Sequence, residues 1–144
     1  MEEPVIHPRL LDDCHCLGRL PHSALLLQRN AALPWFILVP RTELEDVLDL
    51  PGDLLLEVVT EAATLAAFIK RELGYDKVNF AGLGNVVPQM HLHVIGRRPG
   101  DACWPQPVWG NLPDGGSYAP ELLREWCARL EDFAGLVAPG PGCP

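Results

Sequence analysis

Positive charge is scarce in this chain. Eleven Lys and Arg stand against 19 Asp and Glu, a formal net charge of −8 over 144 residues. A nucleic-acid duplex and an anionic membrane both reward basic surface, so neither is expected as the main partner. A small anionic ligand needs only local donors and stays open. No apolar run reaches the roughly 20 residues of a membrane span. The N-terminus, Met1-Glu2-Glu3-Pro4, lacks the basic and apolar stretches of a secretion signal. The five cysteines are odd in number and irregularly spaced, a poor disulfide framework. Free thiols in a cytoplasmic protein are the expectation. Cys14-His15-Cys16 has no second pair to complete a zinc site, and no metal is expected there.

The hydrophobic fraction of 48% excludes a disordered or fibrous chain, and the length suits one domain with a real core. No repeat or internal boundary is visible. A single domain over 1–138 is expected, followed by a Gly- and Pro-rich tail over 139–144 that is expected to be mobile. Residues 1–15 read as an arm or short helix, and 16–28 as extended. Pro34–Pro40 reads as a strand closing an antiparallel hairpin. Pro51 and Asp53 mark a helix start. Leu54, Leu55, Val58, Val59, Ala62, Leu65, Ala66, Ile69 and Leu73 then recur at helical spacing, with Lys70 and Arg71 in the last turn and Gly74 as the stop. Val78–Gly82 reads as a strand, and 120–134 as a second helix with Leu122, Leu123, Trp126, Leu130 and Phe133 as its stripe. The Pro- and Trp-rich connection at 99–120 is long for a compact domain, so it reads as functional or as an ordered flap.

Gln89-Met90-His91-Leu92-His93-Val94-Ile95 alternates strictly, as a half-buried strand does. Gln89, His91 and His93 then share one face, and Met90, Leu92 and Val94 turn to the core. Two imidazoles in a row on a rigid element can do chemistry near neutral pH. A neutral imidazole nitrogen is a nucleophile toward phosphorus, and an imidazolium is a good hydrogen-bond donor to phosphate oxygens. The turn Gly82–Val87 precedes this strand, where small residues let backbone N–H groups approach a phosphate. The bland alternative is a solvated strand face that happens to carry two histidines. Trp104 and Trp109 read as loop anchors before a flap, and Arg97 and Arg98 as anion-attracting or solvated charges.

Pro34–Arg41, Asn79–Asn85 and Gln89–Arg97, taken in order, resemble the histidine triad (HIT) family of nucleotide hydrolases and transferases, over roughly residues 10–110. The resemblance implies an α+β fold, an antiparallel β-sheet with one long and one C-terminal helix packed on it, and a homodimer. It implies a small-molecule nucleotide as substrate and no cofactor. It makes His91, His93 and Gln89 the catalytic candidates: His91 as nucleophile at the α-phosphorus through a covalent nucleotidyl intermediate, His93 as the phosphate contact. Asn30, Asn79, Gly84, Asn85 and Val86 become the substrate-binding candidates, with Leu17, Leu26 and Ile37 as choices for a nucleobase slot. Gln89 stands where the family's first triad histidine is expected, and a carboxamide cannot shuttle a proton.

Two other readings stay open. A nucleotide-binding module with weak or no catalysis fits Gln89. A cupin-type metal barrel also uses His-x-His on a strand, but Gly96-Arg97-Arg98-Pro99 follows where a carboxylate ligand is needed, and the helix at 53–73 suits a barrel poorly.

Overall fold

The structure, a computed structural model, describes residues 5–140 and 143. A short helix α1 (Pro8–Asp13) leads into strands β1 (Cys14–Arg19), β2 (Ser23–Gln28) and β3 (Trp35–Pro40). Helix α2 (Gly52–Arg71) follows, then β4 (Lys77–Gly82), β5 (Leu92–Arg97) and helix α3 (Pro120–Ala134). The five strands form one antiparallel sheet in the order β1-β2-β3-β5-β4. The expected α+β class, an antiparallel sheet carrying one long and one C-terminal helix, is what is found.

Hydrophobic period explains the layering. On one face Leu25, Leu27, Phe36, Leu38, Leu92 and Val94 meet α2 and α3. Phe36 is fully buried, stacked on Trp126 at 5.9 Å and edge-on to Phe68 at 6.4 Å. α2 carries Asp53 in its first turn and Lys70 and Arg71 in its last, both matched to the helix dipole. Its buried stripe differs from expectation at three positions: Val59 is exposed, and Phe68 and the polar Glu61 are buried. The other sheet face is covered by the N-terminal segment, where Ile6, Leu10, Leu26, Ile37, Val39 and Val87 form a second core. β5 is buried along its whole length.

The extended reading of 16–28 resolves into two strands. β1 begins at Cys14, and a turn near Pro21 and His22 folds β2 back on it. A bulge lies between Cys16 and Gly18. Gly18 has φ 152°, and a Cβ there would run into the Val137 carbonyl oxygen, so the close approach requires glycine.

Cys16 is joined to Cys143 by a disulfide, while Cys14, Cys103 and Cys127 are free. The expectation of five free thiols is therefore corrected: linear spacing carries no information about which residues meet across a sequence separation of 127. Of the tail expected to be mobile, Cys143 is buried and tethered, and residues 141, 142 and 144 lie outside those described.

Arg97 is neither a solvated charge nor an anion trap. It is 1% exposed. Its guanidinium donates to both carboxylate oxygens of Asp101 at 2.7 and 3.2 Å, to Asn79 Oδ1 at 3.0 Å and to the Gln106 carbonyl at 2.8 Å. Burial alone would raise the Asp101 carboxyl, but Arg97 and the backbone N–H groups of Arg98 and Cys103 hold it below its usual range. Trp104 lies 5.5 Å from the same guanidinium, and Arg98 sits 3.9 Å over the Tyr75 ring. The connection after β5 is thus an ordered structure built around one buried ion pair.

Candidate active site

β3 and β4 flank β5 and place Ile37 and Ala81 opposite His93. His93 is therefore held by ladders on both sides, a rigid mount for a reactive ring. His91 lies one residue before the strand begins, its ring centroid 5.0 Å from that of His93 and tilted by 69°.

The two rings have opposite proton placements, each set by a neighbour. His91 Nδ1 lies 2.7 Å from the Gln89 backbone carbonyl. A carbonyl oxygen only accepts, so Nδ1 carries the proton and Nε2 keeps its lone pair. His93 Nδ1 lies 2.9 Å from Trp35 Nε1, and an indole N–H only donates. His93 Nδ1 is therefore the acceptor, and its proton resides on Nε2. Burial, then the neighbouring His91, pushes the His93 pKa down to about 4. His93 is neutral at pH 7 and offers an N–H without a charge. Trp109 closes the box, edge-on to His93 at 4.9 Å and to Trp35 at 5.7 Å.

These rings line a cavity of about 360 Å³, within the size range of small-molecule sites. Gly84, Asn85, Val86 and Val87 form one wall; Trp35, Ile37 and Trp109 form another. Arg9 and Asp13 of α1, with Gln28 at the end of β2, complete it. Gly84 has φ 70°, the left-handed turn that aims this wall at the histidines.

Of the residues expected at the site, His91, His93, Gly84, Asn85 and Val86 come together. Gln89, Asn30 and Asn79 do not. The Gln89 carboxamide turns to the N-terminal arm: Nε2 donates to the Val5 carbonyl at 3.0 Å, and Oε1 accepts from His7 N at 2.8 Å. Asn30 holds the 113–115 loop, donating to the Pro113 carbonyl and accepting from Ala32 N and Gly115 N. Asn79 serves Arg97. Of the nucleobase-slot choices only Ile37 lines the cavity; Leu26 belongs to the core beneath it and Leu17 to the helix-side core. Trp109 lines the cavity, whereas Trp104 packs on Arg97.

Arg9, Asp13, Gln28 and Trp35 went unrecognised in the sequence. For Trp35 a signal existed: it shares Ile37's side of an alternating strand, the side that faces the histidines. For Arg9 and Asp13 there was none, because only tertiary packing brings α1 here.

A family profile for the HIT domain matches residues 11–100. The chain belongs to the HIT domain family. Among solved structures, this HIT domain is similar to a histidine triad protein of Marinobacter aquaeolei VT8, with 37% identity, a TM-score of 0.82, and 90% of this chain and 95% of that one covered. A histidine triad protein of Bradyrhizobium japonicum gives 35% identity and a TM-score of 0.82, covering 90% and 96%. A hypothetical histidine triad nucleotide-binding protein of Sulfolobus tokodaii strain7 shares the fold at 17% identity and a TM-score of 0.58, covering 88% and 92%. No curated protein matches. HIT-family proteins are nucleotide-binding and hydrolase modules.

A larger cavity of about 620 Å³ lies between β1 and α3, beside Cys14, His15, Arg29 and Cys127. Burial pushes the Cys14 thiol up to about 12, with Asp13 adding to the shift, and raises Cys127 as well. Both are protonated at neutral pH and poor nucleophiles.

Proposed function

We propose that this HIT domain cleaves nucleotide substrates at the α-phosphorus, by hydrolysis or transfer, through a covalent adduct on His91. The observation that carries the reading is the opposed proton placement on His91 and His93. His91 Nε2 attacks phosphorus with its lone pair, and the N–P bond forms as the bond to the leaving group breaks. The leaving group departs with that electron pair and is protonated by solvent where its basicity requires. The ring then carries positive charge, and the Gln89 carbonyl on its Nδ1–H stabilises it. Water attacks next, the P–N bond breaks, its pair returns to Nε2, and the water's surplus proton goes to bulk. His93 Nε2–H donates to a non-bridging oxygen as charge gathers there. Because His93 is neutral, no charge–charge repulsion sets it against the cationic ring of the His91 adduct.

Asn85 and the backbone of Gly84 and Val86 bind the phosphate side. Asp13 and Gln28 accept from ribose hydroxyls, and Ile37 and Trp109 offer apolar surface to the base. In this reading Asn30 and Asn79 support the site from outside the cavity, and no cofactor is needed. The protein works in the cytoplasm on a small-molecule nucleotide, as a homodimer; Phe80 and Leu83, exposed at the free edge formed by β4, favour a second copy there.

The test is intact-protein mass after brief mixing, under non-acidic conditions, with adenosine and guanosine phosphoramidates and dinucleoside polyphosphates. A nucleoside-monophosphate increment on wild type that His91→Ala abolishes is the expected result. One observation favours a second reading, nucleotide binding without turnover: both ends of the Gln89 carboxamide are engaged by the arm. Tight nucleotide binding with neither adduct nor product would select it.

A further inference from the structure

Resting on that reading of the site, we propose that Gln89 is a positioning residue that docks the N-terminal arm, so that Arg9 reads a second anionic group on the substrate beyond the phosphate held by the histidines.

The two Gln89 bonds reach across 84 and 82 positions to Val5 and His7. His7 in turn accepts from Arg9 N through Nδ1 at 3.1 Å, which caps the first turn of α1. Ile6 and Leu10 are buried on either side of this turn. Gln89 therefore fixes the point where the arm becomes helix, and the next turn of that helix is a wall of the histidine cavity.

Charge argues for what the wall does. His93 is neutral, and Asp13 adds a carboxylate to the lining. Among the described residues that line the cavity, Arg9 is the only Lys or Arg. Its side chain has no hydrogen bond or ion pair among the described residues. In a protein of net charge −8, an anionic ligand with two charged groups needs this cation in place. A substrate carrying only the α-phosphate has its donors in His93 and the Gly84–Val87 wall. One with a further phosphate or carboxylate beyond it gains a charge-assisted bond from Arg9.

The experiment compares dissociation constants of adenosine and guanosine 5′-monophosphate and 5′-diphosphate for wild type, Arg9→Gln, Arg9→Ala, Gln89→Ala, Gln89→Glu and His93→Gln. Amide hydrogen exchange over residues 5–13 is followed in parallel. Wild type is expected to prefer the diphosphate by about tenfold, the worth of one charge-assisted bond. Both Arg9 variants are expected to bring that preference to within twofold of unity while leaving the monophosphate unchanged. Gln89→Ala is expected to remove the preference as well and to speed exchange over 5–13, with some loss of monophosphate affinity because Asp13 is carried on the same segment. Gln89→Glu keeps the acceptor for His7 N–H and loses the donor to Val5, and is expected to fall between. An undiminished preference in both Arg9 variants overturns the assignment of Arg9. Unchanged exchange in Gln89→Ala overturns the clamp. Should wild type bind neither nucleotide, or His93→Gln bind the monophosphate as tightly as wild type, the functional reading itself fails and the Arg9 assignment goes with it. The exchange result decides the clamp in either case.

Discussion

Trp35 Nε1 donates to His93 Nδ1 at 2.9 Å, and this one bond decides which nitrogen of His93 faces the cavity as a donor. Trp35→Phe keeps the apolar bulk and removes the N–H. The Nδ1 acceptor is then free to take the proton. Adduct formation at His91 is expected to slow by about three- to tenfold, the worth of a neutral hydrogen bond. Nitrogen shifts of the His93 ring should change from a pure Nε2–H form to a mixture. Unchanged ring shifts would show that the indole does not set the tautomer.

Stability should depend on pH through the same ring. An unfolded histidine protonates near pH 6.5, and His93 in the fold only near 4. Between those values the unfolded chain holds the extra proton, so stability rises with pH across that window. The contribution is complete above about 6.5 and is lost as pH falls toward 4; it amounts to at most about 3 kcal/mol. Glu61 acts in the opposite sense. Burial raises its carboxyl pKa against the hydrogen bonds from His22 N and Ser23 Oγ, so its term weakens stability as pH rises through the folded value. Urea unfolding of wild type and His93→Gln from pH 4 to 8 separates the two, because only the His93 term disappears in the variant. Parallel curves would rule the His93 term out.

The Arg97–Asp101 pair is expected to be costly to break from one side. Arg97→Met strands a carboxylate that is almost wholly buried, with a loss of about 3–5 kcal/mol in denaturant unfolding. Arg97→Lys should recover only part, because an ammonium cannot reproduce the fork that also reaches Asn79 and the Gln106 carbonyl. Near-neutral behaviour of Arg97→Met would mean the loop does not depend on this pair.

The bridge between Cys16 and Cys143 predicts a thiol count. Alkylation of the denatured, unreduced protein should label three cysteines, and five after reduction. Cys143→Ser should lower stability by about 2–5 kcal/mol. Five labels without reductant would show that the pair stays open in the producing cell.

What could be read along the chain was what short-range period controls. α2, β3 and α3 stand within a residue or two of expectation, since their apolar spacing and their Pro and Gly punctuation are local. The histidine pair was legible for the same reason. Gln89 was not: β5 starts only at Leu92, so the alternation that places His93 does not extend to a side chain three residues earlier. β1 was blurred by its bulge and by the polar run Cys14-His15-Cys16. Arg97 looked solvated because its partners, Asp101, Asn79 and Gln106, are gathered by folding rather than by spacing. The cavity's α1 wall was invisible for a related cause, being docked from more than eighty positions away.

Arg19 and Val137 exchange two backbone hydrogen bonds, each 2.9 Å, at the outer margin of β1. One side of the sheet is thereby obstructed by the chain's own C-terminal segment. The opposite margin, β4, is left with its outward backbone groups unclaimed among the described residues. A margin that meets its own copy is consumed in the meeting. At the residue-19 end of β1 the short strap after α3 occupies the backbone groups that another strand would need, so this corner of the sheet is closed by the chain itself.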